Sequence, residues 1–349
     1  MQRINRKYTI CLISLLLVCV TMLTGCSGTP VTKSGLLLDT VVSITVYDGS
    51  QEDLDAAFDL ISDYNDKLDA FSKTSEIGRI NADSPTVLSD DIYGLLKDSV
   101  DYQQKTGGAF DPVLGSLIDL WHIQDPEVRE APSSDEVSGA LSHSGSSLLI
   151  LDDQTQSAQL TDPDASVNLG ADAKGFVGDQ VAELLQSRGV KHALINLGGN
   201  IVAVGGKSSF EKFTIGIDNP FDTSKNPTGT LSVSDQSVVT SGDYQRYFTD
   251  SSGKKYHHIL DPATGYPADS GLTQVVVVAD SSETADILST SLFVLGKDKG
   301  LAFLKQIDPD GKIGVIFTDK EKNITVTSNL KDNYTLADEY KNEFTVTYS

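Results

Sequence analysis

The sequence predicts an α+β fold, with mixed sheets packed against helices. Short runs rich in β-branched residues read as strands, and stretches with apolar residues every three or four positions read as helices. The two kinds of element do not alternate with the regular beat of a parallel sheet, which is what separates α+β from α/β.

Taken in order, Leu36 to Tyr47 reads as one strand. Glu52 to Phe71 reads as an amphipathic helix, with Leu54, Phe58, Ile61, Leu68 and Phe71 on one stripe. A polar loop, Ser72 to Ser84, holds Ser75-Glu76-Ile77-Gly78-Arg79, and a helix from Ser89 to Lys105 stops at Gly107-Gly108. Ala109-Phe110-Asp111-Pro112 leads into Leu117 to Trp121, and Glu127 to Ser146 reads as a charged, less regular connection. Strands are expected at Ser147 to Leu151 and Ala158 to Leu160, then a helix at Phe176 to Gln186. His192 to Leu197 and Ile201 to Val204 form a hairpin about Gly198-Gly199-Asn200, and short strands follow at Phe213, Gly229 and Ser237. Leu272 to Val278 is almost wholly apolar, as a strand buried on both faces would be. Asp280 and Glu283 have the spacing of a capping box for a helix running to Leu295, where Gly296 ends it. A helix at Lys299 to Gln306 and strands at Lys312 to Thr318 and Ile324 to Thr327 complete the chain.

The N-terminus reads as an export signal. Arg3, Arg6 and Lys7 precede an apolar run, Ile10 to Met22, too short for a comfortable membrane span. Leu23-Thr24-Gly25-Cys26 then resembles a bacterial lipobox. Residues 1–25 would be a lipoprotein signal peptide, Cys26 the lipidated residue, 26–35 a tether and 36–349 the folded domain, held on the extracytoplasmic side of the cell membrane. Cys11 and Cys19 would leave with the signal, so no disulfide or Cys-ligated metal is expected.

The charge is −22, with 49 acidic and 27 basic residues; losing the three N-terminal cations takes it to −25. Such a surface repels nucleic acid, so an anionic ligand needs a metal or one of the few placed cations. Rossmann and P-loop glycine spacings and a G-x-S-x-G elbow are all missing, which argues against those routes to dinucleotide binding and hydrolysis.

Several polar segments carry possible chemistry. Asp286 and Thr290 lie four apart on a helix, so a carboxylate and a hydroxyl point at one spot, a donor pair that suits Mg²⁺; alone, the pair could equally be a solvated Asp and a back-bonded Thr. Asn168-Leu169-Gly170-Ala171-Asp172-Ala173-Lys174-Gly175 could be an ordinary helix start or a phosphate cradle. Ser241-Gly242-Asp243-Tyr244 could be a polar turn, and Tyr244, Tyr247 and Phe248 either packing or a stacking platform. In His257-His258-Ile259-Leu260-Asp261, adjacent histidines point to opposite sides, so one at most faces a site.

In the order TGGAFDP, NLGADAKG, INLGGN, TSGDYQRYF, YHHILDPATGYP and TADILSTSLFVLG, these segments resemble the ApbE family, the FAD:protein FMN transferases, from about Leu36 to Leu304. The resemblance implies transfer of FMN from FAD to a Thr or Ser hydroxyl of an FMN-binding redox protein, with release of AMP. It implies Mg²⁺ held by Asp286, Thr290, Ser289 and the Ala171 carbonyl. FAD would lie along Leu38, Ala109, Phe110, Asp111, Asn168, Lys174 and Leu260, with Ser241, Gly242 and Tyr244 nearby. His258 or Asp261 would position or deprotonate the acceptor hydroxyl. Two departures stand out: Asn168 replaces the family's usual Asp, and Leu38-Asp39-Thr40 replaces Met-Gly-Thr.

Overall fold

The computed structural model describes residues 29–82, 85–123 and 129–349; the signal segment and Cys26 lie outside the described residues. A hairpin opens the described chain. β1 (Val31–Leu37) and β2 (Thr40–Val46) pair with Leu37 opposite Thr40, so Leu38 and Asp39 alone turn the chain. Both have positive φ, 53° and 54°, a conformation that a two-residue hairpin turn demands and that Asn-Gly ordinarily supplies. This corrects the single strand expected from Leu36 to Tyr47, because Leu-Asp carries no turn signal. It also brings Val31 to Gly35, read as tether, into the folded body.

Next come α1 (Gln51–Leu68), α2 (Glu76–Ala82), β3 (Thr86–Val87), α3 (Asp90–Lys105), α4 (Gly115–Trp121) and α5 (Ser134–Ser142). β4 (Leu149–Asp152), β5 (Ser157–Leu160) and α6 (Ala173–Ser187) follow, then β6 (Ala193–Leu197), β7 (Asn200–Val204), β8 (Phe213–Ile217), β9 (Gly229–Val233) and β10 (Gln236–Gly242). β11 (Tyr247–Thr249), β12 (Lys255–His257) and β13 (Leu272–Ala279) lead to α7 (Ser282–Leu295) and α8 (Lys297–Ile307). β14 (Gly314–Asp319), β15 (Asn323–Val326), β16 (Tyr334–Leu336) and β17 (Thr345–Tyr348) close the chain.

Two helices stand where loops were expected. α2 forms because Ile77 and Ile80 are buried against the core, and Ser75 donates and accepts at its start. α5 begins with a capping box between Ser133 and Glu136. The start of α7 also differs: Ser281, not Asp280, is the cap, and its hydroxyl accepts from the Thr284 amide at 3.1 Å.

The strands make a nine-stranded sheet in the order β1-β2-β6-β7-β10-β13-β14-β15-β17, antiparallel except for the β15–β17 pair. β13 is buried along its whole length and shows why. Val275 and Val277 pack under α7 and α8, while Val276 and Val278 face a small sheet ordered β16-β9-β8. Toward the β1 end, β2, β6 and β7 share a core with α1, α3 and α6. The result is helices on one face of the central sheet and a second sheet on the other. No helix among the described residues is long and apolar enough to cross a membrane.

Candidate active site

A cavity of about 540 Å³ opens where the helix layer meets the ends of the central strands. Ala109, Phe110, Asp111, Asn168, Ala171, Lys174, Ser241, His258, Leu260, Asp286 and Thr290 all line it. Five chain segments distant in sequence thus converge on one space.

Asp286 is the most constrained of these residues. It is 4% exposed on α7, and its Oδ2 accepts from the Gly175 amide at 2.9 Å and lies 3.7 Å from Lys174 Nζ. Burial raises the pKa of its carboxyl, while Lys174 and the Gly175 amide oppose that rise. Lys174 Nζ also donates to the Gly170 carbonyl at 3.2 Å, tying the helix-start turn to the carboxylate. Thr290 stands one turn further along α7, its hydroxyl 3.4 Å from Ser241 Oγ. Ser289 does not line the cavity: it is buried, and its hydroxyl bonds Ser241 Oγ at 2.7 Å and the Asp286 carbonyl at 2.9 Å. Ser241 therefore fastens β10 to α7 directly beneath Thr290.

A buried carboxylate, a threonine hydroxyl and the Ala171 turn around one end of a cavity form an all-oxygen donor set, which fits a hard divalent cation such as Mg²⁺. Buried carboxyls in apolar surroundings are costly unless paired, and among the described residues Lys174 is the cation paired with Asp286. A different trio, His143, Asp162 and Asp164, also brings three ligand atoms within 4.8 Å of one another, but none of it lines the cavity.

The remaining expected site residues divide into those that face the cavity and those that hold its walls. Asp111 lines it, yet its carboxylate is committed to structure, accepting from Ser146 N at 3.0 Å, Ser146 Oγ at 2.7 Å and Val113 N at 2.9 Å. Asn168 Oδ1 accepts from the Gly170 amide at 2.9 Å, and Asn168 N donates to the Pro112 carbonyl at 2.8 Å. The FDP loop and the NLG turn are therefore one joined wall, and an amide suffices for the Asn168 turn. Leu38 lies outside the cavity lining, its amide held by Asn65 Oδ1 at 3.0 Å, whereas Thr40 of the same hairpin faces inward. Gly242 and Tyr244 sit behind the wall. A Cβ at position 242 would come within 2.3 Å of the Tyr244 ring, whose hydroxyl accepts from Gln274 at 2.7 Å.

The paired histidines split as alternation requires. His257 is buried, bonded to the Ala268 carbonyl at 3.0 Å and edge-on to Phe293. His258 faces the cavity with Nδ1 3.2 Å from the Arg246 carbonyl, and burial, aided by His257 and Arg246, pushes its pKa down to about 3. The imidazole is thus neutral, with Nδ1 facing that carbonyl and Nε2 left as a hydrogen-bond acceptor. Asp261 is absent from the lining; its carboxylate accepts from Ala263 N at 2.9 Å and its carbonyl from Gly265 N at 2.8 Å, which makes it the organiser of the turn that presents Leu260.

Sequence reasoning missed several lining residues: Phe71, Asp119, Trp121, His122, Asn200 and Arg246. Trp121 is fixed by its indole bond to the Gly265 carbonyl at 2.7 Å and by packing on Phe248 and Tyr256. Its uniqueness in the chain was the only available signal. His122 ends α4 in the left-handed conformation, which no local pattern announces. Asn200, the first residue of β7, has its buried amide nitrogen without a hydrogen-bond partner among the described residues.

Known proteins converge on the same reading. A curated FAD:protein FMN transferase of Klebsiella pneumoniae is 34% identical over 84% of this chain and 91% of its own length. Another, from Treponema pallidum, is 32% identical over 82% of both chains. Among solved structures, the ApbE protein of Thermotoga maritima aligns with a TM-score of 0.75 at 28% identity, covering 90% of this chain and 99% of the other. The flavin transferase ApbE of Vibrio cholerae gives 0.76 at 27% identity, covering 87% and 99%. The model of the ApbE family matches residues 38–317, which takes in every cavity-lining segment, and the chain belongs to that family.

Proposed function

We propose that the protein transfers the FMN half of FAD to a Thr or Ser hydroxyl of an acceptor flavoprotein and releases AMP, in a Mg²⁺-dependent reaction. One observation carries this reading: a cavity in an acidic protein that gathers Asp286, Thr290, Ala171 and Lys174 at one end. A pyrophosphate would be repelled by the bare carboxylate, so the arrangement makes sense for a metal–pyrophosphate complex. When bound, Mg²⁺ would neutralise the pyrophosphate and help align the attacking and leaving oxygens.

The chain's own groups divide the remaining work. Asp286, Thr290 and the Ala171 turn would hold the cation, while Ser289 holds α7 against β10 through Ser241. Lys174, which lines the cavity, would offer its positive charge to the phosphates. The acceptor hydroxyl forms a new bond to the FMN phosphorus, the bond to the AMP phosphate breaks with its electron pair on AMP, and the hydroxyl proton passes to a base. His258 is the better placed candidate than Asp261, because it faces the cavity while the Asp261 carboxylate is engaged in its own turn. The apolar walls at Ala109, Phe110, Leu260 and Trp121 suit the flavin and adenine rings.

The lipobox supports a lipid-anchored enzyme on the extracytoplasmic side of the membrane. Cys26→Ser should release the protein from membranes and leave activity in solution intact; loss of soluble activity would sink a purely anchoring role. For the chemistry, the protein is incubated with FAD, Mg²⁺ and an FMN-binding acceptor, and a denaturing gel is viewed for flavin fluorescence. A fluorescent acceptor band is expected. Free FMN and AMP without a labelled band would assign FAD hydrolysis, and no AMP at all would leave flavin binding alone.

A further inference from the structure

The two halves of the site lie on different helices, and the structure shows what sets their spacing. The Ala171–Lys174 turn starts α6, whereas Asp286 and Thr290 belong to α7. At the first turn of each, the helices touch backbone to backbone: a Cβ on Gly175 would meet the Ser282 carbonyl at 2.4 Å and Asp286 Cβ at 2.7 Å. One turn further along α6, Asp179 reaches across. Its carboxylate accepts from Ser282 N at 2.7 Å, Glu283 N at 3.0 Å and Ser281 Oγ at 2.8 Å.

A helix begins with four amides that lack partners within it. In α7 the Thr284 amide goes to the Ser281 hydroxyl, a local cap, and the Ala285 amide makes the first regular helical bond, to the Ser281 carbonyl. The first two, Ser282 and Glu283, have no local partner and are satisfied by a carboxylate from a helix more than a hundred residues earlier. Charged acceptors at a helix start gain from its dipole, and charge-assisted bonds are the stronger kind. Position 179 thus fixes both the axial register and the separation of α6 and α7, at a point one turn from Gly175 and its bond to Asp286.

We infer that Asp179 is a positioning residue for the metal centre: by capping α7 from α6 it holds Asp286 and Thr290 in register with the Ala171 turn. The inference rests on the proposed metal-dependent reading of this site. It assigns Asp179 no contact with FAD or acceptor, since it is absent from the cavity lining. Residues that orient metal ligands typically cost about 10- to 100-fold in metal affinity when removed.

The test uses Mn²⁺ as the probe, titrated into the soluble Cys26→Ser protein and followed by the loss of the free-ion electron paramagnetic resonance signal, without FAD or acceptor. Asp179→Ala should raise the half-saturating Mn²⁺ concentration about tenfold, and amide exchange at Gly175 should quicken. Binding of FAD alone should stay within about twofold of the parent. Asp179→Asn, which keeps one acceptor oxygen, should fall between the two, and it carries the test if the alanine variant does not fold. Unchanged Mn²⁺ binding in a variant whose melting temperature drops would overturn the inference and leave Asp179 as a helix cap only. Failure of the parent to label an acceptor would overturn the transfer reading but not this one, because ion binding is read separately.

Discussion

Asp286 shows how burial changes the meaning of a single substitution. On sequence it is a helix-surface acid whose removal costs little packing. In the fold it is 4% exposed and is the acceptor for the Gly175 amide. Asp286→Ala would therefore remove the proposed metal ligand and also strand a buried amide, a loss of about 1–3 kcal/mol. Asp286→Asn keeps an oxygen for Gly175 while losing the charge. We expect Asn to abolish AMP release from FAD with a melting temperature close to the parent's, and Ala to abolish it with a clear drop. Substantial AMP release by the Asn variant would refute the assignment of Asp286 to the metal.

At the level of elements, the α6–α7 contact depends on glycine. Gly175→Ala would drive a methyl to within 2.4 Å of a backbone carbonyl, and neither helix can yield without shifting Asp286. The variant should lose both thermal stability and Mg²⁺-dependent AMP release. Gly139 in α5 is the control, because a Cβ there meets nothing within 4 Å. Gly139→Ala should stabilise by about 0.5–1 kcal/mol through helix propensity, with unchanged activity. Equal tolerance of both changes, measured by melting and AMP release, would mean that the close helix contact is dispensable. The same contrast explains what was legible in the sequence. α7, with its apolar stripe and Gly296 stop, and β13, almost wholly apolar, announce themselves because their patterns are long. The β1–β2 turn at Leu38-Asp39 and the three-residue strands β11 and β12 do not, because tertiary contacts from Asn65 and from the Trp121, Phe248 and Tyr256 cluster stabilise them. At the site, motif order found the residues with chemical donors. It could not separate those that face the cavity, such as His258 and Thr290, from neighbours that brace it, such as Asp261, Ser289 and Tyr244. That distinction depends on which way each side chain turns.

Across the whole molecule, the acids behind the site give the metal-free protein a signature in pH. Glu283 is pushed up to about 8, by burial first and then by Asp172, Asp98, Asp179 and Asp286, and burial raises Asp172 in the same direction. Glu283 has an ordinary value of 4.5, so the folded state holds a proton that the unfolded chain has given up. Its stabilising contribution is full below about pH 4.5 and is lost as pH rises through about 8. His257 and His258 act in the opposite sense, since their folded values lie below 6.5; they cost stability as pH falls beneath 6.5 and contribute nothing to the slope well above it. His143, raised by Asp162, adds to the alkaline loss only near the start of that range. General repulsion among the surface acids changes little there, because exposed carboxylates are already ionised by neutral pH. Calorimetric melting without divalent ions should therefore show a midpoint that falls from about pH 7 to about 8 and levels off above it. Glu283→Gln should flatten that limb, while His143→Gln should leave its upper part in place. A midpoint independent of pH over this range in the parent would show that Glu283 is already ionised in the folded state. The buried acids would then need a permanent cation rather than a proton.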